Sequence, residues 1–90
     1  MLIPVYGFLQ GDALGLVVLM RDDETADDFA NKLMQAAAMR VPPFANRAVY
    51  FNGQRLEASA VLAKVGVTPL DRLDVVVASP EQMGQKGQAR

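Results

Sequence analysis

Ala48-Val49-Tyr50-Phe51-Asn52-Gly53-Gln54-Arg55-Leu56, followed by Val61-Leu62-Ala63-Lys64-Val65-Gly66-Val67-Thr68-Pro69-Leu70-Asp71-Arg72-Leu73-Asp74-Val75-Val76-Val77, decides the fold. Ala48 to Phe51 has strand composition, and Asn52-Gly53 supplies two positions that tolerate positive φ, the signature of a tight hairpin. Arg55-Leu56 then begins a short return strand. Ala58 to Lys64 is alanine-rich and predicts one helical turn, with Ser59 as candidate N-cap and Gly66 ending it. Thr68-Pro69-Leu70-Asp71 reads as a turn. Leu73 to Ala78 closes the pattern, and the unbroken Val75-Val76-Val77 suits the centre of a sheet.

Toward the N-terminus, Ile3 to Gln10 reads as a strand. Pro4 lacks an N–H and must face an unpaired side or lie near the strand start. Gly11-Asp12 is a plausible two-residue turn, and Ala13 to Arg21 a second strand. This strand does not alternate as an antiparallel strand with one wet face should. Leu14, Leu16, Val18 and Met20 point one way, Val17 and Leu19 the other, so both faces are apolar. Thr25, with Asp28 three residues on, resembles a capping box. Asp27 and Asp28 suit the positive end of a helix. Ala26, Phe29, Ala30, Leu33, Met34 and Ala37 form an amphipathic stripe, and Leu33 is expected to lie opposite Val75 or Val77. Arg40 is expected near the helix C-terminus, with Val41-Pro42-Pro43 as the stop. The order is ββαββ with a helical turn before the last strand. That is the order of a ubiquitin-like β-grasp: an α+β fold with a mixed four- to five-stranded sheet, one helix across it, and first and last strands as parallel neighbours. Residues 1–79 form that domain. Residues 80–90 are polar and expected to be disordered.

Composition narrows the function. Ninety residues can bury roughly 60–70% of their unfolded surface, enough for one small core. There is no cysteine, which removes disulfides, zinc-thiolate sites, clusters and thiol catalysis. There is no histidine, which removes the usual base and most transition-metal sites. The acidic run Asp22-Asp23-Glu24 lacks the spacing of a calcium loop. Gly11 and Gly15 fall inside a hairpin, not between a strand and a helix, so no phosphate loop is present. Autonomous catalysis is not expected. The net charge of -1 offers no basic face for nucleic acid. No apolar stretch approaches the ~20 residues of a spanning helix, and Met1 leads into a strand-like run with no basic leader. A cytoplasmic protein that does not engage membranes is expected. What remains is docking. The 51% hydrophobic content is high for this size. Val17 and Leu19, the Arg40–Phe44 loop, and one of the neighbouring aromatics Tyr50 and Phe51 are candidate contacts; Tyr50 is taken as the docking aromatic.

The chain also resembles, over nearly its whole length, the small γ subunit of the hydroxylase of bacterial multicomponent diiron monooxygenases, the toluene, alkene and isoprene group. The residues carrying the resemblance are Ile3-Pro4-Val5, Asp12 with Leu14, the strand Leu16 to Met20, then Asp27, Phe29, Ala30 and Lys32, and Arg40-Val41 with Pro43. The most specific piece is Ala63-Lys64-Val65-Gly66-Val67-Thr68-Pro69 with Leu73-Asp74-Val75-Val76. Phe44 to Glu57 is shorter and less basic than in the toluene enzymes, and the tail after Pro80 has no counterpart. The resemblance implies a non-catalytic subunit that docks on the hydroxylase α chain, with a β chain in the same assembly. It places the diiron centre in α, with no cofactor in this chain, and a Rieske ferredoxin, a reductase and an effector protein in the wider system. The alternative is a free-standing ubiquitin-like adaptor. With Gly87-Gln88-Ala89-Arg90 as the last residues, diglycine-type conjugation is not expected of it. The donor set yields a first test: metal analysis of the purified chain after chelator treatment should find no stoichiometric iron, zinc or copper, and one retained equivalent would overturn the reading.

Overall fold

The apolar stripe of the helix comes closest to the sheet at a position that carries no side chain, Gly7. The computed structural model describes residues 2–78. Its elements are β1 (Leu2–Leu9), β2 (Gly15–Arg21), α1 (Ala26–Ala36), β3 (Arg47–Phe51), β4 (Gln54–Leu56) and β5 (Arg72–Val77). They form one five-stranded sheet in the order β2-β1-β5-β3-β4. β1 and β5 are parallel and central, with Tyr6 opposite Arg72 and Leu9 opposite Val75; the other pairings are antiparallel. This is the α+β β-grasp arrangement that the element order predicts.

Every position of the helical stripe is buried: Ala26, Phe29, Ala30, Leu33, Met34 and Ala37. Beneath them lie Val5 and Leu9 of β1, Val18 and Met20 of β2, Val49 of β3, and Leu73 and Val75 of β5. Gly7 is the point of closest approach. A Cβ there would stand 2.9 Å from both a Leu33 methyl carbon and the tip of the Phe29 ring. The helix therefore rests directly on the β1 backbone. Val75, not Val77, shares this core with Leu33. Val77 belongs to the same side of β5 but is 43% exposed at its end, beyond the helix.

The helix entrance is built as the sequence predicts. The Thr25 hydroxyl accepts from Asp28 N–H at 3.2 Å, and the Asp28 carboxylate accepts from Thr25 N–H at 3.0 Å. Two further N–H groups of the first turn, those of Ala26 and Asp27, donate to the carbonyls of Ala60 and Ala58. This explains one departure from expectation. Residues 57–60 make a separate tight turn against the helix end, closed by Ala60 N–H on Glu57 C=O at 3.0 Å, and Thr25 bridges Val61. The turn predicted from Ala58 is displaced to Val61–Gly66, and Ser59 does not begin it. Gly66 ends that turn at φ +97°. Val67 N–H reaches back to Leu62 C=O and Gly66 N–H to Ala63 C=O, a Schellman closure with two buried aliphatics, Leu62 and Val67, across it.

Three other expectations shift. The hairpin connection is not a two-residue Gly11-Asp12 turn: β1 ends at Leu9 and β2 begins at Gly15. The Asp12 carboxylate accepts from Leu14 N–H, which fixes this wider loop and leaves Leu14 exposed rather than on the core face. The helix stops at Ala36. From Ala37 the chain tightens, with Arg40 and Val41 N–H both donating to Ala37 C=O, and Val41 turns into the core. Arg40 therefore does not complement the helix dipole. Its guanidinium forks onto Asp12, Nε and Nη2 each within 3.0 Å of a carboxylate oxygen, and ties the hairpin loop to the segment after the helix. Arg47, one residue ahead of the expected strand start at Ala48, opens β3 and bonds to Asp27. The disorder expected of the tail lies outside the described residues.

Glu24 is buried at the junction of β2 and the helix. One of its oxygens accepts from Arg21 N–H at 2.7 Å and from Lys32 Nζ at 2.9 Å. The Arg21 amide, then the Lys32 ammonium, hold its carboxyl below the ordinary range. Asp28 is lowered by the Thr25 cap bonds, and Asp12 by the Arg40 guanidinium above all. Folded values below unfolded ones mean stabilisation that is present at neutral pH and lost as pH falls through the carboxylate range.

Two measurements check this account. Leu33→Ala removes a side chain with no exposed surface, and denaturant unfolding should show a loss of about 2–5 kcal/mol. Thermal unfolding should be insensitive to pH around neutrality, with the midpoint dropping once pH passes below 4.5, the ordinary glutamate value. Glu24→Gln should flatten part of that drop.

Candidate docking surface

Among the described residues, nothing covers the face of the sheet away from the helix. By register it presents Leu2, Pro4, Tyr6 and Phe8 of β1, and Gly15, Val17, Leu19 and Arg21 of β2. Arg72, Asp74 and Val76 of β5, Ala48 and Tyr50 of β3, and Arg55 of β4 complete it. Tyr6 stands opposite Val17 and Pro4 opposite Leu19. Val17 and Leu19 are each 53% exposed, and Leu2 and Tyr6 are exposed beside them. The non-alternating strand predicted from sequence is thus real, with Leu16, Val18 and Met20 turned to the core and Val17 and Leu19 turned out.

Across the sheet the surface changes character. The Phe8 ring lies against Gly15, where a Cβ would come within 2.6 Å of it. The Arg72 guanidinium stands 4.1 Å above the ring centroid, and its Nε donates to Asp74 at 3.0 Å. Beyond this pair is an open hollow of about 410 Å³ lined by Phe8, Leu9, Gln10, Tyr50, Gly53, Asp74 and Val76. Of the two adjacent aromatics, Phe51 packs against the core and Tyr50 faces this hollow, the split that strand alternation requires.

The five candidate residues do not form one patch. Val17, Leu19 and Tyr50 share the outer face, but Val17 and Tyr50 lie three strands apart, about 14 Å at the usual strand spacing. Phe44 is beside the helix, packed against the core and lining a separate hollow of about 430 Å³ with Asn31, Met34, Gln35 and Pro43. Arg40 is engaged by Asp12. Leu70 is a position that the sequence reading treated only as part of a turn. Asp71 N–H donates to Thr68 C=O, with Pro69 and Leu70 between them. Leu70 has φ +68°, at a turn position that normally takes glycine. Its N–H donates to Pro4 C=O, and its side chain is 57% exposed. The Asp71 carboxylate accepts from Thr68 N–H and hydroxyl and locks the turn. Among the described residues no three metal-ligating side chains converge, and no helix is long and apolar enough to cross a membrane.

These features define a ubiquitin-like β-grasp domain with exposed aliphatics on its outer sheet face. Several solved structures share the fold. One is a chain of the toluene 4-monooxygenase HD complex with the inhibitor 4-bromobenzoate, with a TM-score of 0.80 at 22% identity over 87% of this chain and 100% of that one. The ubiquitin of Caldiarchaeum subterraneum gives 0.69 at 15% identity over 88% and 96%. A ubiquitin-like domain of an Arabidopsis thaliana protein gives 0.69 at 18% identity over 89% and 81%. No curated protein matches by sequence. Residues 2–77 match the model of the toluene-4-monooxygenase system protein B (TmoB) family, and the chain belongs to that family.

Leu70 offers a test of the surface independent of any partner. A leucine in the left-handed region costs about 1–2 kcal/mol, against which glycine's added unfolded-state freedom costs about 0.4–1 kcal/mol. Leu70→Gly should therefore leave the denaturation midpoint of the domain unchanged or raised; a clear drop would mean that the side chain packs on the domain itself.

Proposed function

We propose that this chain is the non-catalytic γ subunit of a diiron monooxygenase hydroxylase, acting in the cytoplasm. In this reading it docks on the large α chain and stabilises it, while α oxidises a hydrocarbon with O2. The observation that carries the proposal is the family match over residues 2–77, joined to an outer sheet face whose exposed aliphatics, Val17 and Leu19 among them, the domain does not need for its own core. The diiron centre belongs to the α chain in this reading. A chain with neither histidine nor cysteine supplies no nitrogen or thiolate ligand, and its influence on turnover is through the stability and placement of its partner. The β chain shares the assembly; a Rieske ferredoxin, a reductase and an effector protein complete the system.

Docking energy is expected from Val17 and Leu19, with Tyr50 at the far side of the same face, since interfaces concentrate energy in a few apolar and aromatic anchors. Arg40 and Phe44, at the loop after the helix, contact the α chain only where it wraps past the sheet edge. Val17→Asp tests the face. The isolated variant should keep its circular dichroism spectrum and thermal midpoint, because Val17 points away from the core, while co-purification with the hydroxylase chains falls at least tenfold. Full assembly by a folded Val17→Asp protein would remove this face from the interface. Co-purification of the native protein with no monooxygenase chain would favour the adaptor reading instead.

A further inference from the structure

β2 is an edge strand, and its free edge is protected along only half its length. The direction of its backbone groups follows from Pro4, which faces Leu19. Pro4 has no N–H to give, and its carbonyl accepts from Leu70 on the opposite side. Leu19 and Pro4 are therefore a non-bonded pair of the ladder. Antiparallel pairs alternate, so the N–H and C=O groups of Gly15, Val17, Leu19 and Arg21 all point out of the sheet. Tyr6, opposite Val17, agrees: its N–H donates to Asp71 C=O, away from β2.

At one end these groups are taken up locally. Arg21 N–H donates to the Glu24 carboxylate, Arg21 C=O accepts from Glu24 N–H, and Leu19 C=O accepts from Lys32 Nζ at 3.1 Å. Lys32, paired with the buried Glu24, thus closes the edge from Leu19 C=O onward. Among the described residues, Leu19 N–H, both groups of Val17 and those of Gly15 have no such partner. The strand holds no proline, no bulge and no lysine, the usual guards of an edge, and its single charge is the terminal Arg21. Exposed Val17 and Leu19 flank the open groups.

We infer that the open edge of β2 receives an extended strand from the partner chain, which pairs with Gly15 to Leu19 and lays an aliphatic side chain at every second position beside Val17 and Leu19. Backbone groups in a row at strand spacing are satisfied together only by another strand. A second copy of this chain fits less well. Pairing two such five-residue edges falls short of the ~1,000 Å² of a stable interface and leaves the outer face of both copies bare. A larger chain that adds a strand and continues over the outer face covers both features. The inference rests on the docking reading above.

Val17→Pro separates the two ideas. Its N–H points outward, so proline removes no bond to β1, and an edge strand tolerates it. Val17→Thr keeps the N–H and the branched shape. The full chain carrying each change would be co-expressed with the hydroxylase chains and purified, with circular dichroism of each variant alone. Val17→Pro should remain folded and lose assembly at least tenfold, with Val17→Thr within about twofold of wild type. Full assembly by Val17→Pro overturns the added strand and leaves the docking reading intact; failure of the wild type to assemble overturns both. Should Val17→Pro not fold, amide exchange on the wild type decides. The Val17 and Leu19 amides should exchange at least tenfold more slowly in the complex than in the free chain, and equal rates overturn the inference. Reversible dimerisation of the isolated wild type that Val17→Pro abolishes assigns the edge to a second copy and overturns it also.

Discussion

The structure depends on the contact between the helix and Gly7. A sheet and a helix ordinarily meet through two layers of side chains. Here one layer is missing at the centre of β1, and Leu33 and Phe29 descend into the gap. That closeness sets the height of the helix over the sheet, and so the depth of the core formed with Leu73 and Val75 of the neighbouring central strand. In an interior packed near crystal density a methyl group at position 7 would lift the helix or tilt its ring. The short reach also accounts for the many small residues on the buried stripe, Ala26, Ala30 and Ala37.

Around this contact the chain is tied by polar groups acting over long sequence distances. Arg40 with Asp12, Arg47 with Asp27 and Lys32 with Glu24 each join two different segments. The Gln10 side chain accepts from Val77 N–H at 2.8 Å. The Ala58 and Ala60 carbonyls cap the helix from a segment more than thirty residues away in sequence. All these ties fall on the helix side or at the strand ends. Among the described residues, the outer face holds only the Arg72–Asp74 pair beside Phe8 and the Arg21–Asp23 pair at the end of β2. The domain is thus braced chiefly from the helix side, while the β2 end of its outer face, around Val17 and Leu19, is apolar and exposed.

Local chemistry was legible in the sequence; distant geometry was not. The helical stripe is a repeat of the helix period, and all six of its positions are buried. Asn52-Gly53 announces two positive φ angles, and both occur, at 54° and 79°. The Thr25–Asp28 box spans three residues and needs nothing else. The phase of β2 followed from alternation alone, which put Val17 and Leu19 outside. By contrast, no local pattern tells that Asp12 will capture Arg40, that the Ala58 and Ala60 carbonyls will serve the helix rather than open a helical turn at Ala58, or that Gly7 underlies Leu33. Leu70 was hidden because its turn position ordinarily selects glycine. The candidate contacts were chosen one by one for apolar or cationic character, and only the pairing of strands shows that Phe44 and Val17 lie on different sides of the sheet.

The parallel pairing of β1 with β5 joins the first strand of the chain to the last, with Tyr6 against Arg72. During synthesis β1, β2 and the helix leave the ribosome long before the strand that completes their sheet. Contacts of such separation form late and slow folding. Until Leu73 and Val75 arrive, the nascent chain is a hairpin apolar on both faces beneath a helix with half its floor missing. Among the described residues, only one of those faces is covered by the chain itself. The timing of release, and what stands nearby to receive the other face, therefore bear on how much of this protein reaches its folded state.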